Sequence, residues 1–342
     1  MKIVYLIGNG FDLNLELKTG YYHFYKKYIR QKSKNDIIAN FKEELKDTLN
    51  GKDSKWSDFE YAFGEYAKEF DDDNDYLTLY EDIVKSLSNH IERQNKKFEI
   101  TQKDEAKLKS DLFGFDKYLT RFDQQCFTEL KNKFVSSDYY VNVISFNYTQ
   151  TFENIFKYNN AQITLSTRGY HNNILKNVFH IHGTTVDNPV LGVYDKTQIN
   201  NPTFQKKKRV IDSIVKSQIY TNLGHMLDTD GFKLIKEANV ICVFGMSFGI
   251  TDKGWWEAIV NKLAESQIKL VVFGKSKNKY GVQKFRNETE KDDLKDRILS
   301  YKQMNEEEKD RIRQNIIVCL DSNMFKLTNG SKPITNKNTQ SQ

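Results

Sequence analysis

Cysteine and proline are scarce in this chain. Its three cysteines, Cys126, Cys242 and Cys319, are scattered over 342 residues, with no Cys-x-x-Cys pair and no histidine at ligand spacing. A disulfide framework or structural zinc therefore has no support, and a cytoplasmic, reducing location is expected. The three prolines, Pro189, Pro202 and Pro333, leave most of the chain free to run in long helices. No stretch approaches the roughly 18 consecutive apolar residues of a membrane-crossing helix. The first apolar run is cut off by Gly8-Asn9-Gly10-Phe11-Asp12, too early for a signal peptide. No Gly-x-x-x-x-Gly-Lys-Ser/Thr loop occurs, which argues against a P-loop nucleotidase. A large excess of one charge is also missing. Lys+Arg 52 against Asp+Glu 46 leaves +6, which suits an anionic ligand without establishing nucleic-acid binding. Nucleic acid is not excluded. The densest basic run, Lys206 to Arg209, reads as a solvated face, with phosphate contact as the alternative.

What is present begins with "KIVYLIGNGFD", Lys2 to Asp12. An apolar strand stops at Gly-Asn-Gly and an acid follows. Glycine admits close approach to the main chain, so such a turn feeding a helix is a usual start of a nucleotide site. Leu13 stands where the dinucleotide fingerprint has its third glycine, so a plain tight turn is the alternative.

From residue 21 to 138 the chain is rich in Lys, Glu, Asp and aromatics, with few strand-like runs. "WSDFEYAFGEYAKEF" puts Trp56, Phe59, Phe63, Tyr66, Ala67 and Phe70 on one helical face. Ser57 and Glu60 have capping-box spacing, with Trp56 placed as a staple. An α-helical insertion over 21–138 is expected. Short apolar, β-branched runs then appear at 141–147, 178–183, 239–247, 269–274 and 315–321, with amphipathic patterns between the later ones. Strands alternating with helices predict a Rossmann-like α/β fold, in which 1–20 and 139–325 form a parallel sheet with helices on both faces. The polar tail 329–342 is expected to be disordered.

Ligands of such sheets bind beyond the carboxyl ends of the strands. Four strands end there in polar or glycine residues: Gly8-Asn9-Gly10, Ser145 to Thr149, His182-Gly183, and Gly245-Met246-Ser247. One such ending is commonplace, whereas four together favour a nucleotide site. Asn147 reads either as the cap of a helix starting near Thr149 or as an amide that bonds a ribose hydroxyl and positions a water. His180 and His182 alternate on "VFHIHG" and so are expected on one strand face, His182 at the end as general base and His180 deeper as a structural ring. No carboxylate joins them at motif spacing, so no metal is expected. Asp12 and Asp252 read first as helix N-caps, with ligand contact as the alternative.

"LIGNGFDL", "WSDFE", "SFNYT", "HIHG" and "FGMSFGITD", in this order, closely resemble the bacteriophage abortive-infection AbiH family, from Ile3 to Asp252 and on through the later strands. The resemblance implies anti-phage defence in bacteria, in which an infected cell shuts down before phage is released. A phage-encoded trigger and a homo-oligomer are the partners it leaves open. The same order of elements is more distantly similar to the sirtuin-type NAD-binding fold. There the strand-end Asn contacts the nicotinamide ribose and the His of His-Gly is the base, here Asn147 and His182. By that likeness Gly8, Asn9, Gly10, Phe11, Asp12, Gly183, Gly245, Ser247 and Asp252 would surround the NAD. Thr149 stands where the sirtuin-type motif has Asp, Phe11-Asp12 replace small residues, and the zinc module is missing. These departures weigh against deacylation and leave hydrolysis of NAD at the nicotinamide–ribose bond, or its binding. The alternatives are a non-catalytic nucleotide sensor whose helical insertion binds a phage or host partner, and a nuclease or RNA-binding effector.

Overall fold

Strand β1 (Lys2–Ile7) is covered on both faces: Ile3, Tyr5 and Ile7 enter one apolar cluster, Val4 and Leu6 another. The computed structural model describes residues 1–50, 58–186, 189–224, 226–276 and 284–327. In it β1 is the middle of a seven-stranded sheet with β2 (Tyr139–Ser145), β3 (Ile163–Arg168), β4 (His171–His180), β5 (Val240–Phe244), β6 (Lys269–Gly274) and β7 (Ile316–Leu320), in the order β3-β4-β2-β1-β5-β6-β7. Neighbours pair parallel throughout except in the β3–β4 hairpin. The expected Rossmann-like α/β architecture is what the chain adopts. Register brings the working ends level, with Ile7 opposite both Ser145 and Phe244, and Ser145 opposite His180. The chain fills one side of β1 with β2, β3 and β4, then crosses to β5, β6 and β7 on the other. Such a reversal opens a crevice above the carboxyl ends of the central strands.

The helices are α1 (Gly10–Asn14), α2 (Tyr21–Tyr28), α3 (Asp36–Asn50), α4 (Phe59–Tyr66), α5 (Asp73–Asn95), α6 (Gln102–Phe113) and α7 (Arg121–Asn132) before β2. After it come α8 (Thr151–Phe156), α9 (Lys208–Ile214), α10 (Lys216–Asn222), α11 (Leu227–Glu237), α12 (Lys253–Glu265), α13 (Lys284–Leu299) and α14 (Glu306–Arg313). Among the described residues no helix is long and apolar enough to cross a membrane. The described residues of 21–138 divide between two apolar clusters. Leu108, Leu112, Phe115 and Phe127 close over the sheet with Ile3, Tyr5 and Val141. Residues of α2 to α5 instead build an aromatic cluster (Phe24, Tyr28, Phe41, Phe63, Tyr76) that takes in Leu191, Phe204 and Ile214 from beyond β4. Helical periodicity reveals that a face is apolar, not which surface it covers.

Three local expectations are corrected. Strand β4 starts at His171 and ends at His180, whereas a strand over 178–183 was expected. Its partner β3 was not expected, because an edge hairpin of half-exposed polar residues gives no apolar run. The cap of α4 is Asp58, whose Oδ1 accepts from the Tyr61 N–H at 3.3 Å. Trp56 and Ser57 of the expected capping box lie outside the described residues, as does the tail 329–342.

Candidate active site

Two loops cross at the carboxyl end of the sheet. Gly8 N–H donates to the Phe244 carbonyl and Gly10 N–H to the Gly245 carbonyl, both at 2.9 Å. A Cβ on Gly245 would lie 2.5 Å from the Gly10 Cα, and one on Gly8 2.5 Å from the Met246 Cα. Gly245 also sits at φ +64°, in the left-handed region. The crossing of main chain over main chain therefore requires the opening glycines by itself.

Around this crossing opens a cleft of about 1040 Å³. Of the residues expected at a nucleotide, Gly8, Asn9, Asp12, Asn147, His182, Gly245, Ser247 and Asp252 line it, whereas Gly10, Phe11 and Gly183 do not. Gly10 is occluded by Gly245, and Gly183 makes the turn after β4 at φ +66°. Phe11 is 1% exposed and packs on Phe152 and Phe325 in the core. The opposite wall comes from the helices, with Tyr21, Tyr22 and Tyr25 of α2, Glu60 of α4 and Arg297 of α13.

His182 and His180 have separate surroundings, because the strand ends at His180 and the turn that follows breaks the alternation. The His182 ring stands edge-on to Phe146 and tilted against Tyr148, with Nε2 3.3 Å from Asp252 Oδ1. That is contact distance but lacks hydrogen-bond alignment, and Nε2 is otherwise buried without a partner. Asp252 occupies the N-cap position of α12, yet its side chain makes no cap bond. Its Oδ1 lies 2.9 Å from the Lys216 Nζ instead. Burial works against the Asp252 carboxylate, but Lys216 and then His182 outweigh it and hold the group well below the usual range.

Beneath them a second set surrounds Asn147. The Asn147 amide caps nothing, since α8 begins at Thr151 behind Gln150. Its Oδ1 is buried and unpartnered, while its carbonyl lies 2.8 Å from His180 Nδ1. His180 Nε2 meets Glu153 Oε1 in a short contact. Burial opposes charge on His180, but Glu153 and the Asn147 carbonyl prevail and raise it above its ordinary value. Asp12 lies inside the first turn of α1 rather than ahead of it. Thr149 Oγ1 lies 2.9 and 2.8 Å from its two carboxyl oxygens. Burial, only partly offset by Thr149, pushes Asp12 up to about 7.

Three polar groups, Asp58 and Glu60 in the wall and Lys216 behind it, escape sequence reasoning. Glu60 reads as half of a capping box, and the sequence assigns no role to Asp58 or Lys216. The two acids stand two residues apart within the aromatic "WSDFE", which is the one signal that pointed to them. Only the fold brings Lys216 to this place.

Over residues 4–274 the chain matches the protein family described as bacteriophage abortive infection AbiH. It belongs to the AbiH family. The match takes in β1 from Val4, all of β2 through β6, and every cleft residue named above except Arg297. Membership of the AbiH family places the protein in phage abortive-infection defence. No curated protein matches the chain significantly.

Proposed function

We propose that this AbiH protein binds NAD in the strand-end cleft and hydrolyses its nicotinamide–ribose bond, depleting the infected cell. The observation that carries the reading is the buried, unpartnered Asn147 Oδ1 in the same cleft wall as the His182–Asp252 pair. A buried polar atom without a partner costs about 1–3 kcal/mol, which a ligand hydroxyl would recover. The cleft volume of about 1040 Å³ is at the upper end of small-molecule sites, as a dinucleotide needs.

Cleavage at an N-glycosidic bond passes through an oxocarbenium-like state, as other glycoside cleavages do. As the C–N bond of the ribose breaks, nicotinamide leaves neutral with the bonding pair, and a water oxygen adds to the same carbon. Nicotinamide needs no general acid. The site must hold the ribose and take a proton from the water. Asn147 would accept from a ribose hydroxyl. His182 presents Nε2 to Asp252, which leaves Nδ1 to take the proton, and the ionised Asp252 stabilises the imidazolium that forms. Arg297 is the wall cation suited to the pyrophosphate; it now donates to the Phe248 carbonyl at 3.1 Å. A phage-encoded trigger acting on the helical wall fits the same reading.

Incubating the purified protein with NAD, alone and with phage lysate, and assaying free nicotinamide tests this. Release that disappears in Asn147→Ala supports it. NAD bound but intact in both conditions would turn the reading to a sensor, and salt-sensitive nucleic-acid binding without NAD binding to a nucleic-acid effector.

A further inference from the structure

Lys216 opens α10 yet is only 5% exposed. Its Nζ lies 2.9 Å from Glu60 Oε2, 2.9 Å from Asp252 Oδ1 and 3.3 Å from the Thr251 carbonyl. Glu60 Oε1 in turn accepts the Gly192 N–H at 3.3 Å. The main chain behind Lys216 is pinned by Val193 N–H to the Ile214 carbonyl at 2.9 Å and Lys216 N–H to the Val193 carbonyl at 3.0 Å. Any side chain on Gly192 would collide with that Ile214 carbonyl. One cation is thus fixed between a carboxylate of α4 and the carboxylate that touches His182.

A gain in stability is not a sufficient reason for such an array. Taking charges out of water is expensive, and replacing a buried ion pair by packed apolar side chains is often neutral or stabilising. The formal charges of Lys216, Glu60 and Asp252 also leave one negative charge uncompensated.

We propose that Lys216 is a positioning residue of the site, which fixes Asp252 beside His182 and, through Glu60, makes the charge state of His182 depend on α4. This rests on His182 being the base of the reaction proposed above. Groups facing His182 are Asp252 directly and Tyr148 from the end of β2, with Lys216 and Tyr220 of α10, Glu60 of α4 and Asp58 at its cap behind them. Burial raises Tyr148 and Tyr220 above their ordinary value, so neither phenol ionises where an imidazole titrates. The charges that can act are therefore those of the array and Asp58.

The test is the titration midpoint of the His182 imidazole, read by NMR in the full-length protein with ring-labelled histidine and assigned against His182→Gln. Glu60→Gln leaves Lys216 facing Asp252 alone, and the midpoint should fall by about one unit or more. Lys216→Met should raise it. Glu60→Gln combined with Lys216→Met restores the formal charge and should bring the midpoint back toward the wild-type value. If Lys216→Met does not fold, the Glu60→Gln and double variants decide. A midpoint unmoved in folded Glu60→Gln would overturn the proposal. Nicotinamide release is measured separately: kcat should fall about tenfold or more in Glu60→Gln with KM held. A wild-type protein that releases no nicotinamide would overturn the NAD reading, while the titration still decides whether Lys216 and Glu60 govern His182.

Discussion

Gly245 and Gly10 touch main chain to main chain, and a methyl on Gly245 would come within 2.5 Å of the Gly10 Cα. The contact joins the ends of β1 and β5 and shapes the floor of the cleft. A side chain at Gly10 would therefore wedge the two strand ends apart rather than merely shield a ligand. Gly10→Ala should lower stability by about 3 kcal/mol, the upper end of the usual range for overpacking, because neither side can give by changing rotamer. Gly20→Ala is the control, since its methyl would meet only side chains, at 3.7 Å and beyond. Thermal melting of the two variants separates them, and equal melting temperatures would show that the crossing is compliant.

The buried Asp12 makes a pH prediction. Its carboxyl, pushed up to about 7 from the usual 3.8, holds its proton more tightly in the folded chain than in the unfolded one. Between those values the native state carries the extra proton, so raising the pH lowers stability. The loss should begin near pH 4, end near pH 7 and amount to about 4 kcal/mol. Asp12→Asn keeps an acceptor for Thr149 and cannot ionise. Denaturant unfolding at pH 4, 5.5 and 7 should show wild type losing stability relative to the variant. Parallel curves would mean that Asp12 is solvated in the native protein.

Strands β1, β2, β5, β6 and β7 were legible because a strand buried on both faces reads as an unbroken apolar run, as "VICVF" of β5 does. Strand β3, half exposed at the sheet edge, has no such run. That Asn147 and His182 stand at the carboxyl end of the sheet was legible for a topological reason, since parallel sheets present ligands to those ends, whereas Asp252 read first as a helix N-cap. Their partners were not legible. The ion pairs of Lys216 with Glu60 and Asp252 join segments far apart in sequence, and no local pattern announces which lysine will be drawn inside. Alternation also misled at His180 and His182, because it holds only while the strand continues.

His180 is expected to act through the fold. Its ring bridges the Asn147 carbonyl and Glu153. His180→Ala would strand a largely buried carboxylate and should cost about 3–5 kcal/mol. Adding Glu153→Gln removes the stranded charge and should recover part of the loss. The bridge also has a pH signature. Because His180 is raised above its unfolded 6.5, its contribution is full below that pH and lost as pH rises through the folded value. Melting temperatures at pH 6 and 8 for wild type and both variants check both statements. A His180→Ala protein that melts like wild type at pH 6 would remove the bridge from the account.

The division of labour in the cleft gives the last prediction. His182 and Asn147 both line the cleft, but only Asn147 has an unpartnered oxygen suited to a ribose hydroxyl. A positioned base contributes about 10²–10⁴-fold to rate. His182→Ala should therefore lose roughly that much nicotinamide release while NAD binding falls little. Asn147→Ala should lose rate and also bind NAD more weakly, because it removes a direct contact. Asp252→Asn should resemble His182→Ala in rate, since an uncharged side chain cannot stabilise the imidazolium. It should also lose stability, as Lys216 is left with Glu60 alone. Nicotinamide release, NAD affinity and phage plating efficiency, measured together for the three variants, discriminate these effects. If NAD cleavage is the protective activity, plating efficiency must rise in step with the loss of release. Full protection by a folded His182→Ala protein that no longer releases nicotinamide would separate defence from this chemistry and move the effector site elsewhere on the molecule.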